Sequence, residues 1–150
     1  IRLNPQNAGA YYSRGFAYGY LGQYEREIQD YDEAIRLNPQ NAGAYYSRGF
    51  AYRELGQYER AIEDFDEAIQ LLATTTQINP QDDWAYYYRG RAYESLGQYE
   101  RAIQDYDEAI QLNPQYASAY YYRGGSYEAL GKTKEAERDF QKAKELGFNS

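Results

Sequence analysis

Apolar positions along the chain return with a helical period and nowhere alternate with a period of two. In the first stretch Ala10, Tyr11, Phe16, Ala17, Tyr18 and Leu21 fall at the spacing of an amphipathic helix, which Gly22 interrupts. A second stretch from about Tyr24 to Leu37 places Tyr24, Ile28, Tyr31, Ala34, Ile35 and Leu37 on one side. Asn38-Pro39 closes it, because the residue before a proline is driven out of the helical region. Glycine at position 22 suits a left-handed helix end. The pattern therefore predicts a helix, a tight turn and a second helix, and the same order recurs around Gly56, Gly97 and Gly131. No strand is predicted.

The recurrence is a repeat. Pro5 and Pro39 are 34 positions apart, as are Pro80 and Pro114, and the run Ile1–Tyr18 is identical to Ile35–Tyr52. Four units follow, 8–41, 42–82, 83–116 and 117–150, within one repeat domain spanning 1–150. Residues 1–7 read as the tail of a further unit upstream. The second unit carries seven extra residues, Leu72–Ile78. Seven residues are close to two helical turns, but the chain must return for the next helix to stack. Three consecutive threonines also disfavour helix. About one extra turn is expected, then a loop through Thr75–Gln77.

Gly15, Gly49, Gly90 and Gly124 sit inside the first helices, where glycine costs about 1 kcal/mol relative to alanine. Close approach of the partner helix is the expected compensation, with Ala34, Ala68, Ala109 and Ala143 opposite. No strand precedes these glycines and no Gly-Lys-Ser/Thr follows them, which excludes a phosphate loop. One position before each stands an arginine (Arg14, Arg48, Arg89, Arg123), and sixteen residues after each arginine an aspartate (Asp30, Asp64, Asp105, Asp139). We read these as structural ion pairs between the two helices of a unit, setting register more than adding net stability. An arginine ladder for anionic ligands is the functional alternative; guanidinium-to-carboxylate distances above about 4 Å would favour it.

Composition narrows the chemistry. The chain contains no histidine and no cysteine, which removes the commonest general base, the commonest transition-metal ligand and any thiol nucleophile. The carboxylate triplets Asp30/Asp32/Glu33, Asp64/Asp66/Glu67 and Asp105/Asp107/Glu108 recur in equivalent places, as a solvated face does, and lack the loop spacing of a calcium cage. No catalytic residue, no metal site and no cofactor is expected. The net charge is −7, and all four lysines (Lys132, Lys134, Lys142, Lys144) lie near the C-terminal end. An acidic body argues against nucleic acid or an anionic membrane as partner. Tyrosine accounts for 21 of the 150 residues.

The 34-residue unit resembles the tetratricopeptide repeat, through Tyr45, Arg48-Gly49, Tyr52, Ala61, Phe65 and Pro80 in the second unit and Tyr86, Gly90, Tyr93, Ala102, Tyr106 and Pro114 in the third. The departures are tyrosine for the opening tryptophan, the arginines in place of leucine, Glu27 where Ala61, Ala102 and Ala136 are small, and a last unit ending Leu146-Gly147-Phe148. The resemblance implies an all-α, right-handed superhelical solenoid of four helix-turn-helix repeats whose first helices line a concave groove. Carried across residue by residue, the lining is Gly9, Tyr12, Ser13, Phe16, Gly19 and Tyr20; Gly43, Tyr46, Ser47, Phe50, Arg53 and Glu54; Trp84, Tyr87, Tyr88, Arg91, Glu94 and Ser95; and Ser118, Tyr121, Tyr122, Gly125, Glu128 and Ala129.

Of these, Tyr12, Phe16, Tyr46, Phe50, Arg53, Trp84, Tyr87, Tyr88, Arg91, Tyr121 and Tyr122 are the expected peptide contacts. Tyrosine offers a large apolar body and a hydroxyl at low entropic cost. A carboxylate clamp is not expected, because Tyr12 and Phe16, and Tyr46 and Phe50, replace the lysine and asparagine it uses. Tyr11, Tyr45, Tyr86, Tyr120, Tyr18, Tyr52, Tyr93 and Tyr127 are expected in the core. The expected function is noncovalent recognition of a protein or peptide, as an assembly scaffold. The alternatives are self-association through the N-terminal face, whose apolar surface lacks a neighbour, or service as the substrate-recruiting arm of a larger enzyme. At the other end Glu137 and Lys144 replace isoleucines, as a water-facing terminal repeat requires.

Overall fold

A glycine in the left-handed conformation separates the helices of every repeat. Gly22, Gly56, Gly97 and Gly131 have φ of 68°, 73°, 72° and 73°, and in each turn the next residue's N–H returns to the first helix, as Gln98 N does to Tyr93 O at 2.9 Å. A computed structural model describes residues 6–74 and 82–149. Its helices are α1 (Ala8–Tyr20), α2 (Tyr24–Leu37), α3 (Ala42–Glu54), α4 (Tyr58–Ala73), α5 (Asp82–Ser95), α6 (Tyr99–Leu112), α7 (Ala117–Ala129) and α8 (Thr133–Glu145). Asn7 and Asn41 cap α1 and α3 by accepting from Ala10 N and Ala44 N. The described residues contain helices and turns and no strand.

Where the sequence reads as one domain, the helices group into two compact units, Ile1–Gln77 and Ile78–Ser150, each holding two repeats. In unit 1, α1 packs on α2, α2 on α3 and α3 on α4; unit 2 repeats this with α5 to α8. The division falls in the seven-residue insertion. Helix α4 passes Leu71, the equivalent of the last helical residues of α2 and α6, by two residues. That is about half a turn, less than expected. Residues 75–81 lie outside the described residues, and so does the return expected there; residues 1–5 and 150 lie outside as well.

The core of each repeat is the aromatic of its second helix and the alanines around it. Tyr31, Phe65 and Tyr106 are fully buried, as are Ala34, Ala68 and Ala109. The mid-helix glycines face these rings and not the alanines expected opposite them. A Cβ on Gly90 would lie 2.9 Å from Tyr106 Cε1, and one on Gly124 2.9 Å from Phe140 Cε1. Glycine is there because an aromatic edge rests on the helix backbone.

The eight tyrosines expected in the core are half-buried. The arginine that replaces leucine in each first helix explains the difference. Its guanidinium lies between two of them, as Arg48 does at 5.7 Å from the Tyr45 ring and 5.9 Å from the Tyr52 ring. A charged centre keeps the layer at the surface, where the phenol tips stay wet. The same guanidinium then forks onto the second helix. Arg14 Nε and Nη2 donate to Asp30 at 2.6 Å each. The equivalent distances are 2.8 and 2.7 Å for Arg48–Asp64, 2.8 and 2.6 Å for Arg89–Asp105, and 2.7 Å twice for Arg123–Asp139.

The sequence did not reveal a second partner. Arg48 Nη1 donates to Asp32 at 2.7 Å and Arg123 Nη1 to Asp107 at 2.6 Å, tying each repeat to the one before it. Each of these aspartates lies sixteen residues before its arginine, a spacing that mirrors the pairs already noted. Burial disfavours the charge on Arg48, but the Asp64 and Asp32 carboxylates outweigh it and hold the guanidinium above its ordinary pKa.

Candidate protein-binding site

The exposed faces of the first helices carry the residues expected to meet a partner, and the structure sorts them unevenly. In unit 1, Phe16 is 62% exposed and Tyr20, one turn on, 88% exposed. Leu21 beside them is exposed too, so α1 presents a contiguous apolar strip. Tyr12 and Tyr46 are half-buried, with ring centroids 5.5 Å from Tyr31 and 5.9 Å from Phe65. Phe50 lies under the Arg53 guanidinium at 5.1 Å, and Arg53 is paired with Glu54.

In unit 2, Trp84 is 46% exposed, but Tyr87 is only 6% exposed. Tyr87 is therefore not an exposed groove residue. Its ring is enclosed by those of Tyr88, Tyr106, Tyr116 and Tyr122, with centroids at 4.9, 6.0, 4.8 and 6.0 Å. Tyr116 completes this enclosure from the connection between repeats, where repeat one has Asn41. Tyr121 is half-buried, stacked on Phe148 at 4.3 Å and 25°. The aromatic that replaces proline at the end of the last repeat thus folds back onto the tyrosine row.

Arg91, one of the expected peptide contacts, is engaged within unit 2. Its guanidinium carbon lies 3.5 Å from the Tyr122 ring centroid, Nη1 donates to Tyr87 Oη at 3.3 Å, and Nε lies 3.3 Å from Glu94 Oε2. Glu94 Oε2 also accepts from Tyr106 Oη at 3.0 Å. Burial pushes the Glu94 carboxyl above its ordinary pKa, and the Tyr106 and Arg91 contacts pull against it.

Unit 1 delivers its carboxylate differently. Gly19 stands where unit 2 has Glu94, and Glu27 where it has Ala102. Glu27 is 5% exposed, and a Cβ on Gly19 would lie 2.5 Å from its Oε1. The side chain from the second helix therefore occupies the gap that glycine leaves in the first. Burial pushes its pKa up to about 7 from 4.5; the Tyr31 phenol opposes the shift and the Glu54 charge adds to it. Because the folded pKa exceeds the unfolded one, the stabilisation is complete below about pH 4.5 and is lost as pH rises through about 7. Unit 1 is expected to gain no more than about 3 kcal/mol as pH falls across this window, and Glu27→Gln to flatten the profile. Urea unfolding at pH 5 and pH 8 checks this; equal pH dependence in the variant would count against it.

Among the described residues no group of three or more His, Cys, Asp or Glu side chains is arranged to hold a metal ion, and no helix is long and apolar enough to cross a membrane.

Family models described as TPR repeat match residues 20–56 and 90–131, and models described as tetratricopeptide repeat match 42–73, 63–104 and 117–149. A crystal structure of MamA is 30% identical, with a TM-score of 0.87 over 95% of this chain and 80% of that one. A MamA fragment, 41-end, from Desulfovibrio magneticus RS-1 is 26% identical, with a TM-score of 0.84 over 94% of this chain and 76% of that one. The structure of BtubC (BKLC) from P. vanneervenii, 18% identical, is similar in fold alone, with a TM-score of 0.85 over 99% and 68%. No curated protein matches the sequence.

Proposed function

The chain belongs to the tetratricopeptide repeat family, and from that premise we propose that it is a noncovalent scaffold gripping a protein or peptide partner through the aromatic faces of its first helices. One observation carries the reading. Phe16 and Tyr20 stand exposed one turn apart on α1. Large rings left in water on a rigid helix are the raw material of a binding hot spot. Unit 2 has an exposed ring of its own, Trp84 on α5. The acidic net charge favours partners that are basic or neutral.

Affinity capture with wild-type protein and with the Phe16→Ala/Tyr20→Ala variant, compared by mass spectrometry, tests the reading. The variant is expected to lose the enriched partners and keep its helical circular dichroism. An unchanged set of captured proteins would reject the groove.

Self-association is the second reading, favoured by a specific contrast. Ala44 and Ala51 are fully buried against α2, whereas Ala17 on the equivalent face of α1 is exposed beside Leu21. Two copies meeting through these faces would bury both strips. Sedimentation equilibrium is expected to show concentration-dependent dimers that Leu21→Glu abolishes. A monomer at every concentration would remove this reading.

A further inference from the structure

In α3 and α7 one stripe of side chains receives the second helix of the preceding repeat; in α1 the same stripe is uncovered. The stripe is Ala44, Arg48, Ala51 and Leu55 on α3, and Ala119, Arg123, Ser126 and Leu130 on α7. Where α2 packs on α3 and α6 on α7, both alanines of α3, Ala119 and Ser126 are fully buried, and both leucines are half-buried. On α1 the stripe is Ala10, Arg14, Ala17 and Leu21. The run Ala8–Tyr18 is identical to Ala42–Tyr52, so the two helices offer the same surface chemistry. Yet Ala10 is only half-buried, Ala17 is exposed and Leu21 is 67% exposed. Among the described residues no helix is seated on them.

The arginine of the stripe shows what an occupant must supply. Arg14 is held as Arg48 is: it forks onto Asp30 through Nε and Nη2 and lies 5.6 and 5.9 Å from the Tyr11 and Tyr18 rings. In Arg48 and Arg123 the remaining nitrogen, Nη1, donates to Asp32 and Asp107 of the incoming helix. Arg14 Nη1 has no acceptor among the described residues, and the side chain is 41% exposed where those of Arg48 and Arg123 are 19% and 18%. The fork and the two rings already fix the guanidinium, so an arriving carboxylate meets a donor that needs no further ordering. The incoming helices share one pattern around their aspartate, Ile28–Asp32–Ile35 in α2 and Ile103–Asp107–Ile110 in α6. Ile103 is buried, and Ile110 packs against the core cluster that contains Ala119.

We propose that the α1 stripe seats an amphipathic helix of a partner protein that carries this pattern: an aliphatic residue, an aspartate four positions on, and a second aliphatic three further, with the aspartate on Arg14 Nη1. A second copy of the chain is poorly suited to the place. Its own α1 stripe brings another Arg14 and no carboxylate, and α8 has Glu137, Gln141 and Lys144 at the three positions. In α4 the three residues, Ile62, Asp66 and Ile69, are half-buried within their own copy. The stripe lies to one side of Phe16 and Tyr20, so the helix docks beside the groove face, and the inference goes beyond the groove reading.

The probe is a synthetic α6 segment, Gln98–Asn113, held helical by a staple between positions 104 and 108, both exposed in α6. It is titrated into isotope-labelled full chain and followed by amide chemical shifts. Saturable shifts are expected at Ala10, Arg14, Ala17 and Leu21. The Asp107→Asn peptide is expected to bind about three- to fivefold more weakly, the effect of one exposed ion pair. The Ile103→Ser/Ile110→Ser peptide, and the unaltered peptide against an Ala17→Glu chain, are each expected to bind roughly tenfold more weakly or worse, because the apolar contact is lost. Equal affinity of the unaltered and Asp107→Asn peptides would overturn the inference. Shifts confined to other surfaces, or no response to the stapled peptide, would overturn it as well. Stripe shifts that follow chain concentration and that the peptide cannot displace would make a second copy the occupant, and would also overturn it. The Phe16→Ala/Tyr20→Ala capture experiment decides the groove reading separately.

Discussion

Tyr106→Ala is expected to lower the unfolding free energy of unit 2 by about 3–5 kcal/mol, the range for deleting a large buried aromatic. Tyr106 is fully buried, and its ring packs against Tyr87 and against the α5 backbone at Gly90. Removing it empties the space that Gly90 keeps clear, and no side chain on that stretch of α5 can fill the void. It also leaves Glu94 without the Tyr106 hydroxyl. Tyr106→Phe separates the two effects: it keeps the ring and is expected to lose only about 1 kcal/mol, one hydrogen bond. Tyr52→Ala, at a half-buried position, is expected to cost clearly less than Tyr106→Ala. Urea unfolding of the three variants checks the order, and a Tyr52→Ala loss equal to that of Tyr106→Ala would contradict the account of the core.

Arg123→Met is expected to be nearly as damaging, at about 3–5 kcal/mol, because it leaves Asp139 buried with its charge unanswered. The guanidinium forks onto Asp139 and reaches Asp107 of the preceding repeat, so one substitution severs the pair within the repeat and the tie between repeats. Arg123→Met combined with Asp139→Leu is expected to recover most of the loss, since an apolar pair of similar size needs no desolvation. Asp107→Ala, which removes only the exposed tie, is expected to cost less than about 1 kcal/mol. Urea unfolding of each variant completes the double-mutant comparison. If the double variant is no more stable than Arg123→Met alone, the fork holds the repeat by more than charge pairing.

The spacing of glycines, prolines and apolar residues carries the helix order directly, because each repeat writes the same turn at Gly22, Gly56, Gly97 and Gly131. The arginine and aspartate sixteen residues apart are legible for the same reason. Which tyrosine is buried is not. Tyr12 and Tyr87 occupy equivalent positions, and only the latter is enclosed, because residues outside its own helix differ: Tyr116 against Asn41 and Tyr122 against Ser47. The exchange of Glu94 and Ala102 for Gly19 and Glu27 escapes a position-by-position reading too. Each substitution alone looks like a departure from the repeat, and only the three-dimensional arrangement shows one carboxylate reaching the same phenol by two routes. The tyrosines around the arginines are half-buried because a charge at the centre of a layer draws the whole layer toward water.

Trp84 is the only tryptophan of the chain and is 46% exposed on the face assigned to the partner, so its fluorescence reads that face without a label. On addition of a purified partner recovered by the wild-type protein, its emission is expected to shift to shorter wavelength and acrylamide quenching to fall severalfold. Formation of a stable complex with Trp84 emission and quenching both unchanged would place the partner elsewhere and contradict recognition through the first helices.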